Sequence, residues 1–447
     1  MVGVVREWMS ELTVLHSRIS RHFSRSEPRH RALTYLKAIT APVKRKNGWQ
    51  MAEAAGESAP DGMQRLLNSA SWDADAVRDD LREYVVEHLG DDDGVLTVDE
   101  TTFLKKGRRS VGVQRQYSGT AGKRENCQVG VFLAYASQKG VALVDRALYL
   151  PRSWTGDAEA LAEAGVPEEV EFATKPELAI EMLKRALDAG VPTSWVTGDS
   201  IYGSARKLRL MLEERRQPFV LAVTSTESVW TDLGRGPEQV PAHRLVEDLR
   251  DEDWRRISAG AGSKGHRLFD WTLVPLYRLQ LTEEERRFGH WLLVRRSIED
   301  PEDLAFYVVF APKQSTTLEQ MVKVAGTRWR IENCFSEAKG SFGLDEYEVR
   351  KYRAWHRYVT LSMLAHAFTE VVRYQEAQKG VPQKIYCRRR CRRSAIRYAC
   401  SSSPECTPKR RRCGGQGGED VTKPGRKDAI TAGVWRSAAS GVCRSAF

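Results

Sequence analysis

Two short β-branched runs, each ending in a carboxylate, constrain the fold most: Gly94–Asp99 (GVLTVD), and Ser194–Gly198 followed by Asp199. Apolar runs of this length predict strands buried on both faces. Gln128–Ser137 (QVGVFLAYAS) and Val141–Leu150 (VALVDRALYL) add two more, joined by the hairpin-like Gln138-Lys139-Gly140. Pro176–Ala189 reads as a helix, with Leu178, Met182, Leu183, Ala186 and Leu187 on one side and Gly190 as its stop. Ser204–Arg215 predicts a further helix and Pro218–Thr224 a further buried strand. Three antiparallel-type strands, then alternating helices and strands, indicate an α/β sheet.

The flanks differ. Residues 1–90 predict helices at Gly48–Ala55, Pro60–Ala70 and Ala74–Leu89, with Ser58 as cap and Pro60 as first-turn proline of the second and Asp73 capping the third. Gly56 falls in the short turn between the first two, a pattern compatible with helix-turn-helix DNA binding or with an ordinary helical bundle. The stretch Arg21–Lys46 carries eight Lys/Arg and one acid, which suits phosphate or a solvated basic face. Residues 226–316 contain short strands, notably Trp291–Arg295 and Ala305–Phe310, among charged turns, and read as an inserted β-rich subdomain. Thr317–Gly340 and Arg353–Gln375 predict long helices, and beyond Ala377 the periodicity vanishes.

Charge and cysteine set limits on function. The net charge is +11, but Lys384–Cys413 alone carries eleven Lys/Arg against one acid. The main body has no net positive field, so any DNA affinity there has to come from local patches. Six of eight cysteines lie in the last 61 residues, leaving Cys127 and Cys334 in the body, which excludes a disulfide framework there. The tail spacings, Cys387-x3-Cys391 and Cys406-x6-Cys413, fit no zinc pattern well. No run of 18 apolar residues exists and no secretory leader is apparent. The expectation is a soluble cytoplasmic protein without a membrane partner.

Asp99 and Asp199, each closing a buried run, can share one rim of a sheet, although a lone strand-end Asp is usually a cap or turn former. Two carboxylates about 4 Å apart repel by roughly 4 kcal/mol at an effective dielectric near 20. A cluster of three therefore calls for a divalent cation, and hard oxygen ligands suit Mg²⁺ or Mn²⁺. The third acid comes from TRWRIENCFSEAKGSF, where Arg328, Glu332 and Lys339 project at 0°, about 40° and about 20° on a helical wheel. Ile331, Phe335, Ala338 and Phe342 form the adjoining apolar face. By geometry alone this stripe is equally a solvent-facing one, since Arg328 and Glu332 are an i,i+4 pair.

Four motifs in order, TVDETTFLKKG, SVGVQRQYSGTAGKRENCQVGVF, VTGDSIYG and RWRIENCFSEAKGSFGLDEYEVR, resemble DDE-superfamily insertion-sequence transposases over about residues 20–375. The group most similar is the insertion-sequence family numbered seven-hundred-and-one. The resemblance implies an RNase H-like catalytic core in two parts (91–225 and 317–376), interrupted by the β-rich insertion. It also implies that the 1–90 helices are a DNA-binding domain. It implies Asp99, Asp199 and Glu332 as catalytic, metal-binding acids, with Mg²⁺ or Mn²⁺ in two sites. Glu100 is an alternative to Asp99, which is preferred because it aligns with the family's first acid. Arg328-x3-Glu332-x6-Lys339 is similar to the family signature Tyr-x2-Arg-x3-Glu-x6-Lys, with Ala325 at the tyrosine position.

On this resemblance Arg328 and Lys339 hold DNA phosphates, Lys105 and Lys106 start a further backbone clamp (or a charged hairpin tip), and Trp230, Trp254, Trp271 or Trp291 is available to stack on an extruded base. The implied activity is metal-dependent cleavage at transposon ends and strand transfer into target DNA, by a dimer on double-stranded DNA. The alternatives are a non-catalytic DNA-binding protein and a stand-alone metal nuclease. Residues 377–447, basic and rich in Cys and Arg, are expected to be a disordered arm or the product of a frameshift.

Overall fold

The computed structural model describes residues 2–380, apart from 233, 235, 263 and 264. The expectations for the tail from 381 onward lie outside the described residues. Five helices open the chain: α1 (Val2–Ile19), α2 (Ser26–Thr40), α3 (Gly48–Ala54), α4 (Asp61–Asn68) and α5 (Ala74–Leu89). Asp73 caps α5 by accepting from the Asp75 and Ala76 amides, as expected. The cap assigned to Ser58 is a correction: Pro60 occupies the N-cap of α4, and no side chain caps that helix.

The first four strands are β1 (Val95–Leu104), β2 (Gln114–Ser118), β3 (Lys123–Ala136) and β4 (Val141–Tyr149). Next come α6 (Arg152–Thr155), α7 (Ala158–Ala164) and α8 (Lys175–Asp188). They are followed by β5 (Trp195–Gly198), α9 (Ser200–Gly203), α10 (Arg206–Glu214) and β6 (Phe219–Val223). β3 is antiparallel to both β1 and β4, whereas β5 is parallel to β1 and to β6. Strand order β4-β3-β1-β5-β6, with the crossover through α8, is the RNase H-like arrangement expected.

The 226–316 segment holds β7 (Ser228–Asp232), β8 (Pro237–Pro241), β9 (Arg255–Gly262), β10 (Gly265–Pro275), α11 (Glu283–Arg286), β11 (Phe288–Arg296) and β12 (Leu304–Pro312). The strands expected here are present, but β9–β12 do not close on themselves. β12 pairs antiparallel with β6, so the main sheet continues through β12, β11, β10 and β9. Among the described residues, only β7 and β8 form a separate ribbon. Trp271 is buried inside this extension, and Trp230 stands exposed on β7.

Three helices complete the description: α12 (Leu318–Thr327), α13 (Trp329–Phe342) and α14 (Tyr352–Gln378). The single helix predicted over Thr317–Gly340 is corrected to two that meet at Arg328, whose own backbone is α-helical (φ −50°, ψ −39°). Thr327 bonds back to the Lys323 carbonyl, a contact that bends helices, and Gly326 lies so close to β9 that a Cβ there would collide with the Ala259 carbonyl.

α14 is buried along most of its length and ties the opening helices to the sheet. Its Arg357 is buried and donates to the carbonyls of Leu67 (3.0 Å) and Trp72 (2.9 Å). Tyr358 donates to Gly343 O (2.6 Å) and Lys46 O (3.2 Å). Arg146 of β4, also buried, reaches Asp75 (2.7 Å), the Ala74 carbonyl (3.1 Å) and Thr360 (2.9 Å). Burial alone would raise the Asp75 carboxyl, yet the Arg146 guanidinium carries it down to about 2.

Replacing Arg357 by Met leaves two buried carbonyls without donors, at roughly 1–3 kcal/mol each. Chemical denaturation is expected to show a loss of about 2–6 kcal/mol; a loss below about 1 kcal/mol contradicts this anchoring role.

Candidate active site

The register of β1 against β5 builds the site. The parallel ladder ends at Val98 opposite Gly198, so the next residues, Asp99 and Asp199, emerge side by side where the pairing stops. The expectation that Asp99 terminates its strand is corrected. β1 runs on to Leu104 because β3 pairs with it throughout, from Val95↔Ala136 to Leu104↔Cys127. Asp99 is at the rim because its parallel neighbour ends, not because its own strand does.

Asp199 is the N-cap of α9, and its Oδ1 accepts from the Ile201 amide at 2.9 Å. Gly203, closing the VTGDSIYG motif, lets α9 lie on β6; a Cβ there would strike the Ala222 carbonyl. Asp99 Oδ1 accepts from the Glu100 amide at 2.8 Å. Each Asp thus commits one oxygen to backbone, and among the described residues neither forms an ion pair. One carboxylate oxygen from each of Asp99, Glu100 and Asp199 lies within 4.8 Å of the others. Burial, then the Asp199 charge, pushes the Asp99 carboxyl up to about 7. Burial and Glu100 raise Asp199, and Arg328 draws both back partway.

Asp99 and Glu100 are consecutive on β1, where side chains ordinarily alternate, yet their carboxylates come within 4.8 Å of each other. Glu100 reaches Lys175, the first residue of α8 (2.7 Å), and the Tyr202 hydroxyl of α9, which donates at 2.6 Å. Both its oxygens are engaged, whereas Asp99 keeps one open toward Arg328. Lys175 and Tyr202 escaped the sequence reading. Tyr202 lies three residues past Asp199, but nothing local to Lys175 marks it.

The structure places Glu332 beside this cluster rather than within it. Its carboxylate, 56% exposed in the first turn of α13, pairs with Arg328 Nη1 at 3.4 Å. Arg328 thus pairs with Glu332, and its charge also acts on both aspartates. α13 is fastened to α14 by Glu337, paired with Arg373 (3.3 Å) and facing His366 (3.9 Å).

The expected phosphate-binding cations divide. Lys339 donates to Thr102 O of β1 (3.1 Å) and Thr120 Oγ1 (3.3 Å), and burial lowers its ammonium pKa. Lys105 turns inward, donating to Tyr347 O (3.1 Å) over that tyrosine's ring (3.3 Å), and burial brings it down to about 8. Lys106, Arg108 and Arg109 stay exposed on the loop after β1. Of the Arg21–Lys46 bases, Arg21 pairs with Asp80, Arg31 with Glu57, Arg29 donates to Phe23 O and Lys46 is buried on Ala41 O. Arg25, Lys37, Lys44 and Arg45 remain exposed.

A family model described as DDE superfamily endonuclease matches residues 18–250, more than half of the chain. A second, described as transposase DDE domain, matches residues 168–368. The chain belongs to the DDE superfamily of endonucleases. A curated relative, the probable transposase for insertion sequence element IS701 from Microchaete diplosiphon, is 23% identical over 313 residues, covering 69% of this chain and 74% of the relative. Among solved structures, the piggyBac transposase synaptic complex with hairpin DNA aligns over 80% of this chain and 68% of that chain, at 11% identity and a TM-score of 0.42. The resemblance to DDE insertion-sequence transposases carried by the four motifs is met by the two family models and the curated relative. The cluster of hard oxygen donors fits the divalent-metal use of the family. Among the described residues, no helix is long and apolar enough to cross a membrane.

The raised Asp99 has a signed consequence. An acid whose folded pKa, about 7, exceeds its unfolded value destabilises the fold increasingly as pH rises from the unfolded pKa toward 7. In metal-free buffer, Asp99→Asn is expected to melt higher than the parent at pH 8, with the gap closing toward pH 4. Equal melting temperatures at both pH values would refute the crowding of these acids.

Proposed function

We propose that the chain is a DNA transposase whose Asp99, Asp199 and Glu332 together hold Mg²⁺ or Mn²⁺, as two ions, for cleavage at transposon ends and strand transfer into target DNA. The observation that carries this reading is the pair Asp99–Asp199, each with one oxygen fixed by backbone and one left over, at a single sheet rim. At 4.8 Å two such charges repel by roughly 3–4 kcal/mol at an effective dielectric near 20, so the arrangement favours a cation.

Three carboxylates and no sulfur or imidazole form a hard donor set, fitting those ions better than zinc. When bound, a two-ion centre supplies charge stabilisation for the attacking and leaving oxygens of an in-line phosphoryl displacement. The protein's own groups do the rest. Glu332 completes the donor set by swinging from Arg328, which its exposure and first-turn position allow. Arg328, released from that pair, is then free to grip a phosphate with its guanidinium fork. Lys339, held on the Thr102 carbonyl of β1, is the second cation of this reading. Glu100, clasped by Lys175 and Tyr202, keeps β1 and α9 in register, so that the two aspartates stay together.

Double-stranded DNA is the partner this reading requires. The exposed Lys106, Arg108 and Arg109, with Arg25, Lys37, Lys44 and Arg45 on the opening helices, are proposed as backbone contacts. Two ends processed together imply a dimer on DNA.

Incubation with the inverted repeats flanking the gene and Mn²⁺ tests the proposal. Cleavage followed by joining is expected. Asp99→Ala, Asp199→Ala and Glu332→Ala should each lower both reactions by roughly a hundredfold or more while leaving end binding intact. Cleavage without joining points instead to a nuclease, and binding alone to a regulator. Any one variant with full activity removes that acid from the site.

A further inference from the structure

The β-rich extension has a second relation to the site, through a single side chain. In the β9–β10 ladder, His266 faces Ala261 but Leu268 faces Ser258. Two residues of β9, Ala259 and Gly260, therefore oppose one of β10, Arg267, and Gly260 takes a φ of +98°. A bulge of this kind re-aims the side chain opposite it.

Here it aims Arg267 at the break between α12 and α13. One guanidinium nitrogen donates to Ala259 O (3.1 Å) and to Gly326 O in the last turn of α12 (3.2 Å). The guanidinium lies 3.8 Å from the ring centroid of Trp329, the first residue of α13. Carbonyls at a helix C-terminus lack helical partners and favour a cation, and Arg267 supplies one. Among the described residues it forms no ion pair, although Glu332 is near enough to act on its charge. Its contacts thus bracket Arg328, with Glu332 one turn further on.

We propose that Arg267 is a positioning residue: by clasping the end of α12 and the start of α13, it fixes the helix break that presents Arg328 and Glu332 to Asp99 and Asp199. The extension then does more than offer surface to a partner. It sets the geometry of the third acid. Lysine cannot replace this arginine, because an ammonium lacks the planar face that stacks on Trp329.

This inference rests on Glu332 being a metal ligand, so the experiment carries a control for that. Mn²⁺ binding to the full chain is measured by calorimetry for the parent, Arg267→Gln, Arg267→Lys and Glu332→Gln, alongside end binding and cleavage. Both Arg267 variants are expected to bind Mn²⁺ and to cleave about tenfold more weakly, the usual effect of losing an outer-shell partner, with end binding unchanged. Parental Mn²⁺ affinity in Arg267→Gln overturns the proposal, as does a loss of end binding equal to the loss of cleavage. If Glu332→Gln binds Mn²⁺ like the parent, the metal-site reading itself fails. If Glu332→Gln is weakened and Arg267→Gln is not, only the present inference fails. Should Arg267→Gln not fold, Trp329→Leu removes the stack and keeps both hydrogen bonds. A few-fold weaker Mn²⁺ affinity is expected there, and parental affinity overturns the proposal.

Discussion

Two carboxylates held closer than their charges favour are what the rest of the structure accommodates. Asp99 and Asp199 meet because β1 and β5 are parallel neighbours whose ladder stops one residue before each. Their repulsion and burial are offset in part by backbone amides, one from Glu100 and one from Ile201, and by the Arg328 charge. None of these would hold the pair without rigid support. β3 spans all of β1 on one side, β6 flanks β5 on the other, and α9 is seated on β6 through Gly203. Outer groups of this sort are what give a site its precision.

The same logic extends to the helices. α13 carries Glu332, proposed as the third acid, and is attached at two points far apart in sequence. One is to α14, through Glu337, Arg373 and His366; the other is to the sheet extension, through Arg267 and Trp329. α14 in turn is bound by Arg357 and Tyr358 to the loops of the opening helices. The loop after α2 is therefore in direct contact with the core.

Much of this was legible in the sequence because it is local. β-branched runs disclosed β3–β6, amphipathic spacing disclosed α5, α8 and α10, and Asp73 declared itself as a cap. The two aspartates were visible for the same reason. The sequence misplaced Asp99 within its strand, because the polar Glu100-Thr101-Thr102 hides a continuation that only pairing with β3 sustains. The division at Arg328 was hidden because no proline marks it; beside it Gly326 lies against the Ala259 carbonyl and accepts from Arg267, residues about sixty to seventy positions earlier. The fusion of β9–β12 with the main sheet depends on the β12–β6 pairing, which no local pattern encodes. Charges were misread similarly. Lys105 looked like a free cation until Tyr347 was seen beneath it, and half of the basic run before α3 turned out to be used within the protein.

The central claim is that Asp99, Asp199 and Glu332 surround one metal centre. Loading the protein with Fe²⁺ in place of Mg²⁺ and adding ascorbate and peroxide generates hydroxyl radicals at the bound ion, which cut the backbone within a few ångströms. The account predicts cuts confined to three segments, around residues 99, 199 and 332, suppressed by excess Mg²⁺. Cuts at the first two segments but none near 332, or cuts that excess Mg²⁺ leaves unchanged, would contradict it.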